Sequence, residues 1–535
     1  MLQWLNDTFF SLIFAPSRKS VFPYFVKFMI SNRVVFFCAL SLLCFLPLVL
    51  TSQTPPKREM RAVWIATVAN IDWPSRSGLT PAEQQREMVE LLDMVKEYNL
   101  NTVILQVRPA ADALFQSQLE PWSQWLTGTQ GKAPDPFYDP LDFTIRESRK
   151  RGLNIHLWLN PYRAEIDTAR NALAPDHPVR KNPEWFVSYG RLTWFNPGIP
   201  QTRNHVARVV ADLVRRYDMD AIHFDDYFYP YPVTGVDFND LESFRRYPRG
   251  FQPHQKEAWR RDNVDLIIKQ LQDTIKSIKP WVEFGISPFG VWRNVADDPA
   301  GSYTRAGVTN YDHLHADILK WQRKKWIDYV TPQLYWHIGM EAADYAILAQ
   351  WWAENTHGCP LYIGHGLYRL EENSPVEAWR SAEEIGRQLD IIRATPNISG
   401  SMFFSARHLR SNPLNLKKQL LNGHYRYQAL APVNPRIMQI TTEPPKNTIM
   451  TVDENQLHFS WNTHPDHKAY VMYRFRLGLP ANPENAQNIF YITGTNELSI
   501  DINEESSNHF YYYMVAAISA TNQESLPVFF DEKYE

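Results

Sequence analysis

From about residue 61 to residue 422, short apolar runs alternate with longer amphipathic stretches. Eight of the runs are rich in β-branched and aromatic residues and read as strands. They are Arg61–Thr67, Thr102–Arg108, Asn154–Asn160, Ala221–Asp226, Trp281–Ser287, Tyr329–Tyr335, Pro360–Gly364 and Gly400–Ser405. The intervening stretches place apolar residues at helical spacing, as with Met88, Leu91, Leu92 and Val95 in Pro81–Tyr98. Val206, Val209, Val210, Leu213 and Val214 do the same in Thr202–Tyr217, and Asn263–Lys279 and Pro375–Ala394 repeat the pattern. Strands that are apolar along most of their length belong to a parallel sheet covered by helices. Eight strand–helix repeats close a (β/α)8 barrel of the TIM type. A doubly wound sheet is the rival, but no glycine-rich phosphate loop follows the first strand. The barrel is the expected fold.

After Pro432 and Pro435 the helical periodicity disappears. Leu457–Trp461, Tyr470–Phe475, Glu497–Ile502 and Phe510–Ser519 read as short strands between turn-rich segments, the spacing of an all-β sandwich of about 100 residues. This segment resembles a fibronectin type III domain, with Trp461 in the place of the core tryptophan of the second strand. The expected organisation is a leader at 1–55, a barrel at 56–430 and a sandwich at 431–535. No titratable cluster marks the sandwich, which reads as a spacer or as a module docking to an envelope partner.

The uncharged run Val34–Leu50 follows Arg33 and precedes Thr51, Ser52 and Gln53, the layout of a secretory signal. The run is also long enough to stay in place as an N-terminal membrane anchor. Either outcome puts the body outside the cytoplasm, in the periplasm or cell envelope. Cys38 and Cys44 fall in this leader, so Cys359 alone remains for the body and no disulfide framework is expected. Lys and Arg number 55 against 58 Asp and Glu, a balance without the basic excess that nucleic-acid binding requires. Aromatic residues make up 14% of the chain, with 18 Trp, which suits both core filling and stacking on sugar rings.

In such a barrel, reactive groups come from the C-terminal strand ends and the loops after them. Strand two ends in Gln106 and Arg108, with Asp112 beyond; strand three ends in Asn160, Tyr162 and Arg163. His223, Asp225, Asp226 and Tyr227 end strand four, and Ser287 and Trp292 end strand five. Gln333, Tyr335 and Trp336 end strand six, and strand seven runs into His365. So many polar and aromatic strand ends describe a cleft that hydrogen-bonds hydroxyls and stacks on sugars. Asp225 and Asp226 are the catalytic candidates, because a carboxyl ringed by Tyr227, Tyr229 and Tyr231 has its pKa raised by partial desolvation. Glycoside hydrolysis usually needs two carboxyls. Asp112, Glu165 and Glu371 all lie at the correct end to be the second, and the adjacent aspartates form a pair only if the backbone turns sharply between them. A third arrangement is substrate assistance, with Asp225 polarising an acetamido group, Asp226 donating the proton and Tyr335 hydrogen-bonding. The sequence leaves all three open. His156, His205, His223, His337 and His365 show no zinc-binding spacing, and no Gly-x-Ser-x-Gly elbow exists. No metal or cofactor is expected.

These stretches together resemble the glycosyl-hydrolase-like family 10 of exported bacterial proteins. The matching residues include Arg61-Ala62-Val63-Trp64, Gln106-Val107-Arg108-Pro109, Trp158-Leu159-Asn160-Pro161-Tyr162-Arg163 and His223-Phe224-Asp225-Asp226-Tyr227. Gly285 through Asn294 and Pro332-Gln333-Leu334-Tyr335-Trp336 complete the set. The resemblance implies a glycoside hydrolase acting on peptidoglycan glycan strands. A non-catalytic glycan-binding or scaffold protein of the envelope is the alternative.

Overall fold

The computed structural model describes residues 54–168, 172–453, 456–501 and 511–534. The expected leader and anchor lie outside the described residues. Eight parallel strands close into a barrel: β1 (Met60–Ile65), β2 (Thr102–Arg108), β3 (Asn154–Leu159), β4 (Ala221–Phe224), β5 (Glu283–Ile286), β6 (Tyr329–Val330), β7 (Leu361–Gly366) and β8 (Ile398–Phe404). Each strand pairs with its neighbour in sequence, and β8 returns to β1 with Met60 beside Gly400. Gly400 is required at this seam. Its φ is +140°, and a Cβ there would lie 2.2 Å from the Met60 carbonyl oxygen.

Helices pack outside the ring. The first, Pro81–Glu97, starts at a reciprocal cap in which Thr80 and Glu83 each bind the other's backbone N–H, with Pro81 in the first turn. It buries Met88, Leu91, Leu92 and Val95, the residues whose spacing identifies it. Lys256–Ile278 begins earlier than the expected Asn263, because its first buried turns use Trp259 and the ion-paired Arg260 rather than an aliphatic stripe. In Pro375–Ala394 the helix proper is only Glu383–Ala394; Glu377–Arg380 forms a separate 3-10 turn, ended by extended Ser381. Strand β6 is cut to Tyr329–Val330 since Pro332 has no N–H for the ladder.

The barrel interior carries a chain of uncharged polar groups. The Tyr329 hydroxyl bridges His156 Nδ1 at 2.9 Å and His223 Nδ1 at 2.8 Å. His223 Nε2 meets the Ser287 hydroxyl at 2.9 Å and accepts from the Trp64 indole at 3.3 Å. Burial lowers the pKa of both imidazoles, that of His156 to about 4, so both stay neutral. Gly285 makes the room: a Cβ on it would sit 1.9 Å from the Tyr329 ring.

Beyond the barrel lie two four-stranded sheets built from β9 (Lys446–Val452), β10 (Gln456–Asn462), β11 (Ala469–Arg476), β12 (Ile489–Thr493), β13 (Glu497–Asp501), β14 (Tyr511–Ile518), β15 (Val528–Phe529) and β16 (Asp531–Tyr534). Their orders are β13-β10-β9-β16 and β12-β11-β14-β15. Phe459, Trp461, Tyr470, Met472, Tyr513 and Val515 fill the space between them. Four of these strands coincide with the sequence reading. The other four are short or carry few buried residues, so their pattern is weak.

These sheets meet the barrel at the N-terminal ends of its strands. Lys468 Nζ bonds Asp220 Oδ1 and Asn154 Oδ1, each at 2.9 Å, and Asn522 Oδ1 at 2.6 Å. Arg149 holds the other Asp220 oxygen at 2.7 Å, and Asn434 donates to Glu283 at 2.7 Å. Burial opposes the charge on Asp220, but Arg149 and Lys468 together hold its carboxyl well below the usual range. Replacing Lys468 by Met leaves a buried carboxylate short of one cation. The variant is expected to lose roughly 3 kcal/mol of unfolding free energy, read as a lower urea midpoint; an unchanged midpoint would show that this contact contributes nothing to stability.

Candidate active site

The C-terminal strand ends surround a cleft with a volume of about 340 Å³. Strand β1 and its loop supply Trp64, Ala66, Val68 and Ile71; β2 supplies Gln106 and β3 supplies Trp158. The β4 end contributes Asp225, Asp226 and Tyr227, with Arg163 beside them. Ser287, Gln333, Tyr335, Tyr368 and Phe404 complete the rim.

Strand β4 ends at Phe224, and the chain turns at once, with Phe228 N–H donating to the Asp226 carbonyl at 3.0 Å. That turn brings both consecutive carboxyls into one cleft. Asp225 is 4% exposed and Asp226 3%. Asp225 Oδ2 accepts from the Trp158 indole at 3.0 Å and the Asn160 amide at 3.1 Å, and Oδ1 accepts from Tyr227 N–H at 3.3 Å. Burial raises its pKa to about 6 against the pull of Arg163 and these donors. Asp226 accepts from the Tyr231 hydroxyl. Burial and then the Asp225 charge push its pKa up to about 7, with Tyr231 and Gln333 opposing.

An aromatic wall faces the pair. Tyr335 stacks on Phe404 with centroids 6.0 Å apart, Tyr368 meets Tyr335 edge-on at 5.8 Å, and Trp64 tilts against Phe404 at 6.3 Å. Arg163 lies 5.1 Å over the Tyr227 ring. Gln106 Oε1 accepts from the backbone N–H groups of Thr67 and Val68, each at 2.9 Å, which leaves its buried amide nitrogen without a partner among the described residues. Asp72 ties the β1 and β8 loops together, accepting from Ala66 N–H at 2.6 Å, from the Ser405 hydroxyl at 2.8 Å and from Arg407 N–H at 2.7 Å.

Of the residues expected to bind substrate, Gln106, Arg163, Tyr227, Ser287, Gln333 and Tyr335 line the cleft with the two aspartates. The others do not. Arg108 is consumed by a buried double ion pair with Glu120 at 2.6 and 2.7 Å, and His205 meets the same carboxylate at 2.9 Å. Asp112 turns back on its own loop, accepting from Ala110 N–H and Gln130. Asn160 is fully buried and acts on Asp225 rather than on the cleft, and His223 lies beneath the floor in the interior chain. Tyr162 is fully buried in the core. Trp292 stacks on Trp351, Trp336 packs edge-on to Phe289, and His365 is held in the barrel wall by Gln388 and Ser401. Tyr229 turns away from the aspartates to Asn263. Neither remaining candidate for the second carboxyl reaches the cleft: Glu165 binds the Thr193 hydroxyl and Glu371 is exposed. Trp64, Trp158 and Phe404 are hidden in apolar runs, and Tyr368 stands in the short turn after β7 with no pattern to single it out. Trp158 was recoverable, since it shares a strand face with Asn160 two residues on. Among the described residues no group of three or more His, Cys, Asp or Glu could hold a metal.

A closed (β/α)8 barrel bears a buried carboxyl pair and aromatic faces at its C-terminal rim, an arrangement suited to glycoside hydrolysis. Residues 59–380 match the family Glycosyl hydrolase-like 10, and the chain belongs to that family. It is 43% identical over 466 residues to glycosyl hydrolase YngK of Bacillus subtilis, covering 85% of this chain and 88% of that protein. It is 38% identical over 374 residues to glycosyl hydrolase DigH of Escherichia coli K12, covering 66% of this chain and 84% of that one. Among solved structures, the glycoside hydrolase domain of PgaB (BpsB) from Bordetella bronchiseptica aligns with a TM-score of 0.46 at 13% identity, covering 68% of this chain and 98% of that chain.

The electrostatics can be read directly. Infrared titration of carboxyl bands, with Asp225→Asn and Asp226→Asn as assignments, is expected to show groups ionising near pH 6 and 7. Trp158→Phe removes an N–H donor from the ionised form and should move the Asp225 transition to higher pH. Two ordinary transitions near pH 4 would refute the assigned environment.

Proposed function

We propose that the chain is a glycoside hydrolase of the bacterial cell envelope that cuts the glycan backbone of peptidoglycan, with Asp226 as proton donor and Asp225 as its ionised partner. One observation carries this reading: two consecutive buried carboxyls, both shifted upward, share a cleft with aromatic faces. Breaking a glycosidic bond requires a proton on the leaving oxygen while positive charge develops at the anomeric carbon. A carboxyl with a pKa near 7 still holds that proton at neutral pH, and a neighbouring carboxylate stabilises the developing charge. Tyr335, Phe404 and Trp64 offer flat faces to the C–H side of a sugar ring. Arg163, Gln333 and Ser287 supply hydrogen bonds to hydroxyls, and the Gln106 amide is a further donor.

The relatives named glycosyl hydrolases support the reaction class. The apolar N-terminal run supports export, with membrane attachment through it if it is retained. The family resemblance supports glycan strands as substrate. The strand order of the C-terminal sheets and the buried Trp461 support a fibronectin type III-like module, suited to docking an envelope partner.

Incubation with intact and amidase-treated peptidoglycan, followed by mass analysis of the soluble products, tests the reading. Soluble oligosaccharides are expected from the peptide-free strands, and Asp226→Asn should slow their release by roughly 10²–10⁴-fold while strands still bind. Binding by the unaltered chain without any new reducing ends would replace the enzyme with a glycan-binding scaffold.

The pH dependence has a definite sign. kcat/KM should fall on the acid side as Asp225 takes a proton near pH 6, and on the alkaline side as Asp226 loses one near pH 7. Asp225→Asn should remove the acid limb and move the alkaline limb downward, because the like charge raising Asp226 is gone. An alkaline limb that stays in place would contradict the pairing.

A further inference from the structure

We infer that the nucleophile in this cleft is the substrate's own 2-acetamido group, so that the site is specific for glycans with an N-acetylated amino sugar on the non-reducing side of the bond cut. The inference rests on the glycosidase reading above and names the group that reading leaves unassigned.

The geometry of displacement is the first argument. The attacking group must approach the anomeric carbon from the face opposite the leaving oxygen. Enzymes that use two carboxyls set them on opposite sides of the bond, roughly 5–5.5 Å apart for a covalent route or 6.5–9.5 Å for a water-mediated one. The carboxyls lining this cleft are Asp225 and Asp226, consecutive residues with Cα atoms about 3.8 Å apart, at the end of one strand. Both come from one strand end, and among the described residues no other carboxyl lines the cleft. Asp112, Glu165 and Glu371, the other candidates for the second carboxyl at this end of the barrel, are all turned elsewhere.

The bonding of Asp225 is the second argument. The indole of Trp158, the amide of Asn160 and the backbone N–H of Tyr227 commit lone pairs on both of its oxygens. A carboxylate held by three N–H donors is a weak nucleophile but a fixed acceptor. An acetamido N–H offered to it would gain electron density at its carbonyl oxygen. Tyr335 is the third argument. Stacking on Phe404 and edge contact with Tyr368 fix its ring, and the described residues leave its hydroxyl unengaged. Burial and its neighbours keep that phenol protonated at any working pH. It can therefore donate to the same carbonyl, while Trp64 and Ala66 offer apolar surface for the acetyl methyl.

The reaction balances with water alone. The acetamido oxygen bonds to C1 as the C1–O bond breaks; the leaving oxygen takes the Asp226 proton, and the amide proton passes to Asp225. A neutral oxazoline remains. Asp226, now a carboxylate, takes a proton from water as the water oxygen bonds to C1. The electron pair of the C1–O bond returns to the acyl carbonyl, and Asp225 returns its proton to nitrogen. Both aspartates end as they began, and the anomeric configuration is retained.

The test compares peptide-free glycan strands with the same strands after exchange of N-acetyl for N-trifluoroacetyl, which keeps the group neutral and weakens its carbonyl as a nucleophile. The full chain should cleave the fluorinated strands with kcat lower by on the order of 10²-fold and KM nearly unchanged. NMR of fresh products from the native strands should show retained configuration. Equal rates on the two strands, or inverted product, would overturn this inference and leave the glycosidase reading standing. Failure to cut either strand would overturn both.

Discussion

Met60 and Gly400 run so close at the seam of the barrel that no side chain fits between them, and that contact closes β8 onto β1. A ring closed there has no free edge, so its eight strand tips converge on one axis. Side chains far apart in sequence are thereby forced into common space: Trp64 from β1, Trp158 from β3, Asp225 beyond β4, Phe404 from β8. Inward-pointing polar groups must then be satisfied within the ring itself. His156, Tyr329 and His223 satisfy one another in a line, and the missing side chain of Gly285 is what lets the Tyr329 ring lie between the two imidazoles.

The same economy sets the electrostatics of the cleft. The chain places Arg108 at the end of β2, yet ties its guanidinium to Glu120 and to the carbonyls of Asn160 and Pro161. Glu120 is in turn shared with His205, so that cation is neutralised in the core under the loop. Arg163 is left as the cation acting on Asp225, and it is partly drawn over the Tyr227 ring. Had Arg108 faced inward, its charge would have held both aspartates ionised, and no proton donor would survive at neutral pH. The upward shift of the pair is thus as much a property of where Arg108 goes as of where the aspartates sit.

How far the sequence revealed this depended on the kind of signal. All eight barrel strands were legible, because each is a compact apolar run flanked by helical periodicity. Pro332 trimmed β6 in a way its composition already implied. The carboxyl pair was legible because two acidic residues rarely end an apolar strand without purpose. Direction was not legible. Arg108, Tyr162, Trp292 and His365 stand at the same strand ends as residues that do line the cleft, and their types suit either role. What decides among them is a partner outside the strand itself, as Glu120, Trp351 or Gln388 is, and such partners become visible only in the folded chain. The aromatic wall was concealed for the opposite reason: Trp64 and Phe404 look like ordinary core residues until the loop residues leave one face bare.

The junction at the other end of the barrel bears on how freely such a protein can be rearranged. Asn154, Asp220 and Glu283 stand at the entry ends of three successive strands, and their partners Asn434, Lys468 and Asn522 all come from the C-terminal portion. The two halves are therefore matched like a plug and its socket. Shuffling a different β module onto this barrel, or this module onto another barrel, would strip Asp220 of Lys468 and Glu283 of Asn434, so the six residues have to travel together across the linker.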